Sequence, residues 1–248
     1  MSTVGTTRWG AQRGGRLTAI ERAGMILALA SRRLAARFAR RGDVVVSFAE
    51  TSIALPDTAL TRDALAHCES ECAPAIFNHS VRCYAWGVLL AEAKTLRFDR
   101  EALAVAALLH DVELGRTERR DGFSCTCFAC AGAEGARKFL RRQAVSADQC
   151  DLICDAIALH LNPAVPLSAG AEAHLLNAGA ALDVVGAGLT ALHPDDRARV
   201  LAAYPRNGFK RTMRAAMERE RAAAPDTRAA LLMKLGFAAM IESAPFDS

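Results

Sequence analysis

Apolar residues along this chain recur mostly at three- and four-residue intervals. That period predicts helices and almost no strand. Residues 102–109 read Ala-Leu-Ala-Val-Ala-Ala-Leu-Leu, and the run then meets His110 and Asp111 before Gly115 stops it. An imidazole and a carboxylate at the mouth of a buried helix are costly to bury unless something pairs with them. A metal ion is the simplest partner. Neighbouring side chains on a helix point about 100° apart, so both can ligate only an ion lying between them.

The same pattern divides the rest of the chain. Residues 1–16 are rich in Gly, Thr and Arg and are expected to fray. A basic helix is expected over 17–41, where Glu21 is the lone acid among Arg22, Arg32, Arg33, Arg37, Arg40 and Arg41. Its composition resembles a transit peptide or a membrane-surface helix, and equally a helix with a solvated arginine face. Residues 44–48 form a strand-like patch. Asp57 is a candidate N-cap for a helix through Cys72, and Pro74 separates it from a helix over 75–94. On that second helix His79, Arg82, Cys83, Trp86 and Leu90 share one face.

Asp99 should cap the helix that ends at His110. Ser146 and Gln149 have the spacing of a capping box for a helix through His160, closed by Asn162-Pro163. Ser168 or Gly170 opens a long helix with Asp183 among Gly179, Ala180, Gly186 and Ala187. Small residues there either admit a neighbouring helix or leave a cavity, and the aspartate favours the cavity. Amphipathic helices follow over 209–223 and 227–243, with Asp226 capping the second.

Composition narrows the class. A 248-residue chain with 52% hydrophobic and 23% charged residues is globular, and its wealth of Ala and Leu favours an all-α fold. The net charge of +4 is mild, and no basic stripe with interleaved aromatics points to nucleic acid. No run reaches the about 20 apolar residues of a membrane span. The nearest, 171–192, carries Glu172, His174, Asn177 and Asp183. Eight cysteines in so apolar a chain read as reduced thiols, implying a cytoplasmic location, with helical spacing accounting for Cys68/Cys72 and Cys150/Cys154. Cys125, Cys127 and Cys130 are three local ligands where a zinc or iron–sulfur site wants four.

Five stretches in order carry a resemblance: 55–58 (Leu-Pro-Asp-Thr), 77–82 (Phe-Asn-His-Ser-Val-Arg), 107–111 (Ala-Leu-Leu-His-Asp), 156–160 (Ala-Ile-Ala-Leu-His) and 177–186 (Asn-Ala-Gly-Ala-Ala-Leu-Asp-Val-Val-Gly). Together they resemble the HD-domain superfamily of metal-dependent hydrolases, and within it the cyanamide-hydratase-like branch. The resemblance implies an all-α HD-domain helical bundle with N- and C-terminal helical additions. The expected division is a basic extension over 1–54, a catalytic core over 55–205 and C-terminal helices over 206–248 packed on it. The resemblance assigns metal ligation to His79, His110, Asp111 and Asp183. Two imidazoles and two carboxylates suit one divalent transition metal, zinc first, with iron, manganese or cobalt also suited. Asp111 and His160 are the candidate catalytic groups and Arg82 the candidate substrate-binding group. His67, His174 and His193 are read as structural.

Three activities compete. One is hydration or hydrolysis of a small molecule, as in a cyanamide or nitrile hydratase. Another is nucleotide phosphohydrolysis, which should show several Arg or Lys converging on the site, where only Arg82 stands near a ligand. A dinuclear oxygenase or phosphodiesterase needs extra histidines, and residues 112–159 contain none. A small-molecule substrate is expected, with no nucleic acid and no integral membrane segment, and a homo-oligomer is compatible with the sequence.

Overall fold

The computed structural model describes residues 3–38, 47–48, 51–116 and 122–246. Among the described residues every regular element is a helix, as the apolar period requires. Helix α1 (Thr7–Arg13) is followed by α2 (Ala19–Phe38), α3 (Ala59–Glu71), α4 (Pro74–Ala93) and α5 (Arg100–Leu109). Then come α6 (Val112–Gly115), α7 (Phe128–Leu140), α8 (Ala147–Leu159), α9 (Ala171–Val185) and α10 (Pro194–Ala203). Helices α11 (Phe209–Ala223), α12 (Arg228–Lys234) and α13 (Phe237–Glu242) complete the chain. No described helix is long and apolar enough to cross a membrane. The strand-like patch at 44–48 lies, apart from its last two residues, outside the described residues.

Helices α4, α5, α8 and α9 form the centre, with α3, α7 and α10 around them. Residues 79–91 of α4 are all buried, so this helix is wrapped on every side. It packs most closely on α9, where a Cβ at Gly179 would stand 2.4 Å from the Cys83 carbonyl oxygen. The small residues of α9 therefore do both things the sequence allowed. Gly179 admits α4, whereas Ala180 and Ala181 face a cavity.

Helix starts follow local capping chemistry. Asp99 accepts from the Ala102 amide at 3.0 Å, and Ser146 accepts from the Gln149 amide at 3.2 Å. The Gln149 side chain does not complete a reciprocal box; it donates to Glu101 at 3.3 Å. At α3 and α12 the caps are Thr58 and Thr227, each one residue after the expected aspartate. The helix expected over 227–243 is broken in two by Gly236 at φ 90°.

The N-terminal segment is not frayed. Trp9 is 1% exposed, its indole donates to Glu21 at 2.8 Å, and the Thr7 hydroxyl donates to Asp155 at 2.6 Å. A buried tryptophan and two long-range hydrogen bonds outweigh a composition that reads as loop. This segment joins α7, α11 and the C-terminal helices in a second apolar cluster beside the central one. Helix α2 lies across it and leaves Ile20, Leu27 and Leu34 exposed.

Candidate metal centre

His110 ends α5 and Asp111 opens α6, so the pair sits at a break between helices rather than within one. Asp111 has φ −112° and ψ 11°, in the sparsely populated bridge region. His160 occupies the matching place at the end of α8. Both rings turn back over their own helix, placing Nδ1 2.7 Å from the Ala107 carbonyl for His110 and 2.6 Å from the Ile157 carbonyl for His160. A carbonyl only accepts, so each Nδ1 must carry a proton. Each neutral ring is then left with a bare lone pair on Nε2.

The Nε2 atoms of three rings converge on the Asp111 carboxylate. His110 Nε2 lies 3.3 Å and His79 Nε2 3.4 Å from Asp111 Oδ2, while His160 Nε2 lies 3.5 Å from Oδ1. Ligands about 2.1 Å from a tetrahedral ion stand about 3.4 Å from one another. His110 Nε2 and Asp111 Oδ1 are buried without a hydrogen-bond partner among the described residues. Orphaned acceptors facing one another at the edge length of a coordination shell are what a cation would satisfy. The donor set therefore fits a divalent ion. His110, Asp111 and His160 form one group able to hold a metal, and His79, Cys83 and His110 form another.

Asp183 stands behind this shell. Its Oδ2 accepts from His79 Nδ1 at 2.7 Å and from Arg82 Nη2 at 2.9 Å. Its Oδ1 accepts from Arg82 Nε at 2.7 Å, Trp86 Nε1 at 2.8 Å and Arg206 Nη1 at 3.4 Å. Five donors surround a group with about four lone-pair sites. The sequence reading put Asp183 on the metal; here it fixes the tautomer and angle of a histidine that faces Asp111.

Arg82 also differs from expectation. Its remaining nitrogen, Nη1, donates to the carbonyls of Tyr204 at 3.0 Å and Pro205 at 3.1 Å, and the side chain is 0% exposed. With four of its five N–H donors so used, Arg82 is not among the residues that line the cavity. His79, Arg82 and Trp86 do share the α4 face that the three-and-four spacing required, and that face meets Asp183.

The charges agree with this division of roles. Against the cost of burial, Arg82 and His79 hold Asp183 far below the usual carboxylate range. Burial likewise works against the charged Asp111, but His110 and His79 hold it well below that range. Burial opposes protonation of His79, yet the neighbouring Cys83 and its bonds to Asp111 and Asp183 push its pKa up to about 10. Burial and the nearby His110 drive His160 down to about 3.

The shell forms one wall of a cavity of about 230 Å3. Phe128 borders it with its ring 5.7 Å from His160, and Met213 and Met217 of α11 close the opposite side. Sequence reasoning missed Arg206, Phe128 and Phe209, whose ring stacks 4.6 Å from His79. All three lie where α7 or α11 begins, or just before, where no periodicity marks a function. The other histidines take local roles: His193 caps α10, His174 bonds the Val165 carbonyl at 2.7 Å, and His67 stacks on Phe139.

The family model of the HD domain matches residues 76–233, well over half of the chain and inclusive of His79, His110, Asp111 and His160. No curated protein matches the chain.

Proposed function

The chain belongs to the HD-domain family, and on that premise we propose that it is a metal-dependent enzyme adding water to a small molecule, in the manner of a cyanamide or nitrile hydratase. His79, His110 and His160 through Nε2, and Asp111 through its carboxylate, would hold one divalent ion, zinc first. When bound, such an ion lowers the pKa of a water from 15.7 to about 7 and so supplies a nucleophile at neutral pH. The observation that carries this reading is the set of three Nε2 atoms 3.3–3.5 Å from one carboxylate, with the Nδ1 side of each ring already bonded.

The residues divide the remaining work. Asp111 Oδ1, buried and without a partner among the described residues, is the nearest acceptor for the proton that leaves the attacking water. Asp183 orients His79, and Arg82 and Arg206 hold Asp183. His160, a candidate catalytic group by sequence, would act here through the ion. The apolar walls limit the water that reaches the centre. A phosphohydrolase has less support. Arg82, the phosphate clamp that the sequence offered, is committed to Asp183 and to two backbone carbonyls, which leaves Arg32 as the single cation on the cavity lining among the described residues.

Zinc-loaded protein should release urea from cyanamide, or amide from small nitriles. Phosphate release from nucleoside monophosphates with no turnover of either would overturn this reading.

A further inference from the structure

We propose that the substrate of this centre carries an uncharged apolar body, alkyl or aryl, directly attached to the group that water attacks. The inference rests on the reading of the centre given above and adds the chemistry of what sits beside it.

The cavity is apolar on every side but one. Val184 and Ala181 of α9, Met213 and Met217 of α11, Leu232 of α12 and Phe237 of α13 all line it. Apart from the metal-facing shell, the polar side chains on its lining are Arg32, Asn162 and Asn177. Asn177 spends its amide on the carbonyls of His160 at 2.7 Å and Asn162 at 2.8 Å. Asn162 donates to the Val4 carbonyl at 2.7 Å and accepts from Arg228 at 2.7 Å. Arg32, on α2, is hydrogen-bonded to the Pro163 carbonyl.

Such a chamber discriminates by what it cannot satisfy. A nucleotide would bring ribose hydroxyls and a phosphate into a space whose side-chain amides are already bonded and whose single lining cation sits on α2. Each polar group buried without a partner costs about 1–3 kcal/mol. Cyanamide itself would leave most of the volume unfilled. An apolar cavity of about 150 Å3 takes benzene. A cavity of about 230 Å3 takes a correspondingly larger body, on that scale about nine non-hydrogen atoms. The methionines supply unbranched, deformable walls suited to irregular apolar shapes. For a nitrile R–C≡N, water's oxygen bonds to carbon and both hydrogens end on nitrogen, giving the carboxamide with nothing else consumed.

The test is binding to zinc-loaded protein, read by displacement of indole, an uncharged ligand of a size the chamber takes, followed by its own NMR signals. Straight-chain nitriles from propionitrile to octanenitrile should bind about fourfold tighter per added methylene until the chamber is full. Ala181→Leu, which fills the chamber away from the metal-facing residues, should weaken octanenitrile binding about tenfold or more, while zinc content and propionitrile binding hold. Affinity that does not change with chain length, or displacement by adenosine monophosphate but not by nitriles, overturns the inference. Chain-length dependence without amide release supports the apolar chamber and refutes hydration as the reaction, so the two readings fail separately.

Discussion

The His–Asp centre and the cluster of Cys125, Cys127 and Cys130 contain equally metal-competent side chains, all of them buried. They differ in what surrounds the donors. At the centre, Nε2 of His110 and Oδ1 of Asp111 have no partner among the described residues, and a cavity opens beside them. At the cysteines a buried arginine occupies the donors, although a cavity borders Cys130 as well. Arg228 is 0% exposed, lies 5.4 Å over the Trp9 ring, and places Nη2 3.6 Å from Cys127 Sγ and 3.4 Å from Cys130 Sγ. Contact with Cys130 together with burial raises the Cys127 thiol well above its usual range, and contact with Cys125 helps push Cys130 to about 11. Zinc wants thiolates. Donor type alone is thus a poor guide; unpaired lone pairs converging at the edge of a cavity are a better one.

The comparison can be broken most sharply at Asp183. Asp183→Asn removes the one carboxylate that compensates Arg82 and Arg206 inside the core. We expect a loss of about 3–5 kcal/mol, read by urea unfolding. Wild-type stability in that variant would remove Asp183 from its place behind His79.

Next come the donors. His110→Ala and His160→Ala should each weaken zinc binding by more than the about 100-fold that supporting partners carry, read by elemental analysis and competition with a chelator. Cys130→Ala should leave zinc content at the wild-type value. Equal zinc loss in the histidine and cysteine variants would erase the distinction between the two clusters.

Arg228→Ala should lower stability by about 2–4 kcal/mol through lost packing on Trp9 and an unpaired Asn162, with zinc content unchanged. A thermal melt beside a metal assay separates the two effects.

The smallest effect is on pH dependence. Without metal, His79 stays protonated below a pKa of about 10, and a ligand must be neutral. Zinc affinity should therefore rise with pH, about tenfold per unit in the range where one proton is displaced, and flatten above that pKa. Calorimetry in two buffers of different ionisation enthalpy should record at least one proton released per zinc. Zero release would contradict the charge assigned to His79.

Much of this was legible in the chain. The apolar period of residues 102–109 located α5, and the break after it, at His110 and Asp111. The spacing of His79, Arg82 and Trp86 put them on one face of α4. The caps at Asp99 and Ser146 are local hydrogen bonds, and local bonds follow from local residues. The order of residues 1–16 was not legible because Arg228 lies over Trp9 and Asp155 accepts from Thr7, partners that no window along the chain contains. The bonds between Arg82 and Asp183 were not legible for a related reason. The spacing located both groups near the centre, but not that they would face each other across the α4–α9 contact.

Period, composition and caps settled a helical fold and the order of its elements, since each of those depends on neighbours within a few turns, while the residue types expected at its centre came from the resemblance to the HD-domain superfamily. Which nitrogen of each ring is left bare, which carboxylate faces the cation position and how apolar the adjoining chamber is were decided only by packing. Those properties depend on distances between helices that lie up to about a hundred residues apart in sequence, as His79 and Asp183 do, and no local pattern encodes such a distance.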